Sequence, residues 1–384
     1  MTDEHPTSRP PDAVTGPPAP TLTSGGGSGT GSSPGAHPDH PAHATTGPPD
    51  AITGIPAPPI SEAEAAAAAA AGTPPDAPPV GFHKRPALGY VLYLSGALLF
   101  GVNGTVSKVL LTSVDDAARV SQLRVTFAFL ILLVFVALTN RRSLPLRRHE
   151  LGPVAAYGIL GVAMTQWLYF VAITRMPIGI ALLIEFTAPI MVVLWVRYAW
   201  HRPVGNTVWL GLALAMVGLA MVAQIWLGLT LNSLGVAAAF GAAVALAVYY
   251  LLGETCGQER DPVSLTLWGF GFAALLWAVV LPWWRYPWAA LEGSAAPLGE
   301  GTTAVPLWAL AAWMVVLGTI VPFWLVLAAI RHIGAAGASI IGMTEPFIAS
   351  LIAWVVLGEV LTPAQMLGGA VILAGVVIAE RARG

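Results

Sequence analysis

Charge is what this chain has least of. Acidic and basic residues make up 10% of its 384 residues, against about 25% in an ordinary soluble domain. So few charges cannot cover a globule of this size, which excludes a free-standing soluble fold. The formal net charge of −2 leaves no footprint for nucleic acid, so no such partner is expected. The single cysteine, Cys256, rules out an internal disulfide and leaves the redox compartment undetermined. P-loop, HExxH and nucleophile-elbow patterns are missing. The histidines, His201 and His332 among them, show no metal-ligand spacing, and with the carboxylates they form no catalytic dyad. A membrane-embedded enzyme is therefore the weakest reading, and neither cofactor nor metal is expected.

What is there is mostly oil: 56% of residues are hydrophobic and the mean hydropathy is +0.71. Residues 1–86 are the exception. More than half of the 32 prolines lie there, among Gly, Ala, Ser and Thr, and PPDAVTGPPAP (10–20) returns as PPDAITGIPAPP (48–59). With too little apolar surface to offset ordering entropy, this reads as a disordered cytoplasmic tail. It holds no hydrophobic signal core.

From there on, apolar runs long enough to cross a bilayer follow one another. Ten are expected, near 88–112, 120–139, 151–173, 178–199, 207–228, 233–253, 263–283, 305–330, 335–357 and 363–380. In lipid the backbone must satisfy its own hydrogen bonds, so each run should be a helix. NRRSLPLRRHE (140–150), Lys84, Arg85, Arg202, Arg260, Arg331, Arg381 and Arg383 fall on one side by alternate counting. The positive-inside rule makes that side, with both termini, cytoplasmic. Arginine outnumbers lysine 16 to 2, and with the Ala, Gly and Pro content this fits a GC-rich bacterium and its inner membrane.

The spans repeat. LGVAMTQWLYFVAI (160–173) lies over LGTIVPFWLVLAAI (317–330) at a shift of 157; Pro189 maps to Pro346, Gly211 to Gly368 and Gly218 to Gly375. Earlier spans fit a shift of 146, as Gly89 to Gly235 and Asp115 to Asp261. The repeats are placed at 87–228 and 233–380. Five helices is an odd number, so the second half enters from the opposite face. The expected fold is all-α and polytopic, two inverted five-helix repeats with a binding site near the midplane between them.

Polar residues inside spans are costly, and each is a candidate for function. MTEPF (343–347) puts Glu345 beside Pro346 near the bilayer centre; IEFTAPI (184–190) puts Glu185 four residues before Pro189. The repeat places Glu185 against Gly342 and Glu345 against Ala188, one acid per half. These two, with Thr187, Pro189, Thr344 and Pro346, are the candidate substrate or proton site; a protonated glutamate bonded to a neighbouring helix is the alternative. Gln166, Trp167, its mate Trp324, Asn103 and Tyr249 are weaker candidates, the tryptophans reading equally as packing. Lys108 and Arg124, near the outer ends of their helices, read as snorkelling cations or as charges of an anionic outer vestibule. The four paired glycines read as close helix packing.

Two five-helix halves, a proline in the fourth helix of each, and EPF…LGEVLTPAQMLGGAVILAGVVIA (345–379) resemble the EamA-type members of the drug/metabolite transporter superfamily. The resemblance spans about 88–380, and GIALLIEFTAPI (179–190) is similar to the threonine/homoserine exporter branch. It implies ten helices, a central cavity and secondary export of small metabolites, often amino acids. Arg202 stands where Glu359 stands in the second half, a departure from the family's glutamate. The expected function is export of a small polar metabolite, an amino acid or related compound, by alternating access. Expected partners are that substrate, the bilayer and protons as coupling ion, with a homodimer left open. Import or exchange of sugar-type metabolites is the alternative within the superfamily; a channel would differ by showing no counterflow.

Overall fold

The computed structural model describes residues 84–114, 116–227, 232–297, 303–357 and 360–383, without the side chains of 105, 108, 356 and 357. The expected tail up to His83, together with Asp115, Gly358 and Glu359, lies outside the described residues. The helices are α1 (Pro86–Val114), α2 (Ala117–Thr139), α3 (Arg148–Ile173), α4 (Ile178–Tyr198), α5 (Asn206–Val222), α6 (Ser233–Glu259) and α7 (Pro262–Val280). A helical run, Leu307–Gly342, follows, then Glu345–Leu357, and α10 (Pro363–Arg381) closes the series.

At 36 residues the run Leu307–Gly342 would measure about 54 Å, too long for one crossing. Gly334 divides it. Its φ of 74° and ψ of 170° are non-helical, and a side chain would be strained at that positive φ. The chain reverses there, giving α8 (307–333) and α9 (335–342 with Glu345–Leu357). Among the described residues the count is then ten, and the sequence-derived spans agree within a few residues, except that α6 runs on to Glu259 and α5 stops at Val222.

Both α4 and α9 are interrupted. α4 consists of Ile178–Glu185 and Ala188–Tyr198, and α9 breaks at Met343 and Thr344. Three of the four half-helix boundaries coincide under the 157-residue shift, and the fourth falls two residues short of Leu357. Thr187 N–H donates to the Ile184 carbonyl at 3.1 Å and Thr344 N–H to the Ile341 carbonyl at 2.9 Å. Each threonine hydroxyl donates to the same carbonyl as its own amide, at 2.7 Å in both halves. α3 and α8 also carry matching π-helical turns, Tyr157–Ala163 and Val316–Ile320. Such turns leave part of the backbone ladder out of register and concentrate at functional sites.

Packing shows the inversion directly. A Cβ on Gly218 would stand 2.6 Å from the Gly368 carbonyl oxygen, and one on Gly375 2.6 Å from that of Gly211. Thus α5 and its repeat mate α10 cross antiparallel, each early glycine meeting the other helix's late one. α2 and α7, also mates, run antiparallel too: Arg119 and Gln122 at the start of α2 donate to the Pro282 and Leu281 carbonyls past the end of α7. Both ends of the described segment share a face, since the Tyr90 hydroxyl of α1 donates to Glu380 of α10 at 2.9 Å. This is called the terminal face below. On the opposite face, Ser294–Ala295 pairs with Val305–Pro306 in the loop between α7 and α8.

Gly218→Leu must push α5 off α10. Overpacking of this kind costs about 1–3 kcal/mol, and the thermal midpoint of the purified protein should fall. Gly104→Leu, where a Cβ meets nothing within 4 Å, should leave it nearly unchanged; equal effects would contradict the antiparallel contact.

Candidate functional site

The interrupted helices set the two acids. Glu185 ends the first half of α4 and is 7% exposed; among the described residues its carboxylate has no hydrogen-bond partner. Glu345 opens the second half of α9. Pro346 therefore lies in a first helical turn, where its missing N–H removes no intrahelical bond. The helix is broken cleanly here, and the break sets the carboxylate at a helix N-terminus, whose dipole favours it. Phe347 packs against Gly369 of α10, where a Cβ would collide with its ring. The two glutamates lie within electrostatic reach of each other and of Tyr169 and Tyr250.

Two tyrosines complete this centre. Tyr93 of α1 donates to Glu345 Oε1 at 2.9 Å and shares a 2.5 Å hydroxyl contact with Tyr250 of α6. A Cβ on Gly342 would meet these two oxygens at 2.6 and 2.8 Å. Gly342 is the repeat mate of Glu185, so tyrosine oxygens occupy the place that a symmetric glutamate would need. Sequence reasoning missed both tyrosines. They lie on helices related by the 146-residue shift but not at matching positions, so no repeat signal marks them.

The remaining candidates divide. Tyr249 stacks on Tyr157 at 5.4 Å between ring centroids and fits against Gly161, as Asn103, its repeat mate, fits against Gly318. Gln166 is 7% exposed with both amide atoms unpartnered. Trp167 packs edge-on against Trp277 at 5.8 Å. Trp324 is 37% exposed, unlike the buried Glu185. The hydroxyls of Thr187 and Thr344 serve the helix breaks, and Pro189 starts the second half of α4. Lys108 lies in α1, but its side chain is outside the described residues. Arg124 does not snorkel. At 6% exposure it turns into the bundle, Nε donating to Thr319 Oγ1 at 2.5 Å and Nη2 to the Gly318 carbonyl at 2.7 Å. The reason is local: α8 unwinds into its π-helical turn at that level and presents a free carbonyl and a hydroxyl.

A second polar centre closes the terminal face. Arg202, after α4, bridges to Glu254 of α6 at 2.5 Å, and the other Glu254 oxygen accepts from the Ala335 N–H at 2.5 Å. Glu254 thereby caps α9 where it restarts after Gly334. Arg383 donates to the Ile333 carbonyl at 2.8 Å. A cavity of about 140 Å³ lies beside these groups, lined by Arg202, Glu254, Gly334 and Arg383, rather than at mid-depth. The sequence placed Glu254 beyond the end of its span, which hid it. Nearby, His149, Glu150 and Glu259 bring ligand atoms within 4.8 Å of one another, a grouping that spacing did not suggest. Glu150 is already held by Arg260 at 3.0 Å and by the Arg147 N–H at 2.7 Å.

Arg202→Glu sets two carboxylates against each other and should lower stability by about 1–3 kcal/mol, below the cost of a fully buried break because the arginine is partly exposed. Arg202→Glu with Glu254→Arg should recover part of the loss, since an arginine cannot accept from the Ala335 N–H. Thermal midpoints of the two variants check this; no recovery in the double variant would contradict the bridge.

Known proteins fit this architecture. The EamA-like transporter family matches twice, over residues 87–224 and 233–380. The chain is 29% identical over 260 residues to the threonine/homoserine exporter RhtA of Escherichia coli, covering 67% of this chain and 80% of that protein. It is 28% identical over 280 residues to an uncharacterized transporter of Archaeoglobus fulgidus, covering 72% and 92%. A solved crystal structure matches with a TM-score of 0.55 at 16% identity, over 76% of this chain and 96% of that one, which speaks for the fold. With a family match over both helical halves, the chain belongs to the EamA-like transporter family of multi-pass membrane proteins, which are transporters and not enzymes.

Proposed function

We propose that this transporter exports a small zwitterionic metabolite, an amino acid of the size of threonine or homoserine, across a bacterial inner membrane. Alternating access is driven by proton exchange, and the arginine-rich terminal face lies in the cytoplasm. The observation that carries the reading is that two carboxylates, Glu185 and Glu345, one from each half, sit at the ends of interrupted helices within electrostatic reach of each other. An acidic pair in a water-poor centre suits an ammonium group or protons. Tyr93 and Tyr250 orient Glu345, and the similarity to an exporter of threonine and homoserine points to solutes of that size.

Alternating access follows from the inversion. Each half can take the conformation that the other now holds, and the exchange opens the opposite face. The Arg202–Glu254 bridge, with Glu254 capping α9, closes the terminal face in the present conformation and must part when that face opens.

Glu345→Gln keeps an acceptor for the Tyr93 hydroxyl but removes the ionisable group. In proteoliposomes with labelled threonine or homoserine, uphill flux driven by a pH gradient should fall at least about tenfold, the worth of one charge-assisted contact, while counterflow survives. Uphill flux equal to the parent's would refute the role given to Glu345.

A further inference from the structure

Arg124 is a cation buried in the bundle whose partners, among the described residues, are all neutral. Its guanidinium spends two donors on the Thr319 hydroxyl and the Gly318 carbonyl, and its carbon lies 5.9 Å from the centroid of the Phe323 ring. A guanidinium has five N–H donors in a planar fork. A buried charge without a counter-ion is costly, and the fork matches a carboxylate.

A second polar group converges on the same turn. Asn103 of α1 packs against Gly318. Its Nδ2 donates to Ser107 Oγ at 3.0 Å, and its Oδ1 is buried without a partner among the described residues. A half-turn of this amide lets Ser107 donate to Oδ1 and frees an N–H, so the side chain can serve an incoming anion as a donor. Under the repeat, Arg124 corresponds to Phe270, and both lie against Phe323. The second half fills this position with an apolar ring, so a cation is not what the packing requires.

We propose that Arg124, with Asn103, is an anion station that takes the carboxylate of the transported solute, while Thr319, whose hydroxyl donates to the Met314 carbonyl, holds the guanidinium in place. It is joined to the acidic centre by an aromatic wall. Phe323 contacts Tyr249 at 5.6 Å, Tyr249 contacts Tyr250 at 5.5 Å, and Tyr250 reaches Glu345 through Tyr93. One end of the path is selective for carboxylate and the other for ammonium, so a zwitterion is recognised in two stages. This rests on the proposed amino-acid export for the identity of the solute, but not for the carboxylate.

The test uses the full-length protein and three probes: L-threonine, L-threoninol, which lacks the carboxylate, and butyrate, which lacks the amine. Binding is read as ligand-induced change in thermal midpoint. Threonine and butyrate should stabilise the parent, and Arg124→Gln should weaken both responses about tenfold in apparent affinity while leaving the threoninol response unchanged. A merely structural arginine would move all three alike. If Arg124→Gln does not fold, Arg124→Lys is read instead; it keeps the charge without the fork and should weaken only the carboxylate probes. The proposal is overturned if neither carboxylate probe stabilises the parent, or if the variant responds to them as the parent does. Stabilisation by butyrate but not threonine, lost in the variant, would uphold the anion station and sink the amino-acid reading.

Discussion

A bilayer offers the backbone no hydrogen-bond partners, and α4 and α9 both stop being helical half-way across it. Everything around the centre answers to that constraint. The Thr187 and Thr344 amides fall back on turn-type bonds, and their hydroxyls double those bonds onto Ile184 and Ile341. Such ends are tolerated at this depth only where protein covers them or a watered path runs past. They are also where the two glutamates sit, because a broken helix exposes a polar end that a continuous one would hide.

The two halves share a backbone plan but not its chemistry. Breaks, π-helical turns and crossing glycines recur at fixed shifts, whereas the charged side chains do not. Glu185 faces a glycine in its mate position, Arg124 a phenylalanine, and Tyr93 and Tyr250 fill what the missing acid leaves. A transporter built from inverted repeats needs the backbone symmetry to exchange conformations. The Arg202–Glu254 bridge belongs to the same logic, joining the halves where Gly334 lets the chain turn back.

Apolar periodicity made the helices legible, because a span's length is set by the membrane and not by its neighbours. The repeat made the inversion legible, because five is odd. The depth of Glu185 and Glu345 could be counted from helix ends. Contacts between helices could not. Arg124, seven residues into α2, looks like a snorkelling cation until α8 is seen to unwind beside it. Trp324 matches Trp167 in sequence yet is 37% exposed where Trp167 packs on Trp277, since matching positions in inverted halves need not share a partner. Tyr93 and Tyr250 carried no signal, because tyrosines in spans are common and only the fold brings their hydroxyls onto Glu345.

The most direct test of the central claim, that the helix breaks line the solute's path, is thiol accessibility. The chain's one cysteine, Cys256, is replaced by serine, and Thr187→Cys and Thr344→Cys are introduced separately. The account predicts that small impermeant thiol reagents reach both positions from each face of the membrane in turn, that transported solute slows the reaction, and that Leu130→Cys, 45% exposed at the middle of α2, stays unlabelled. Breaks that never react from either face would contradict it.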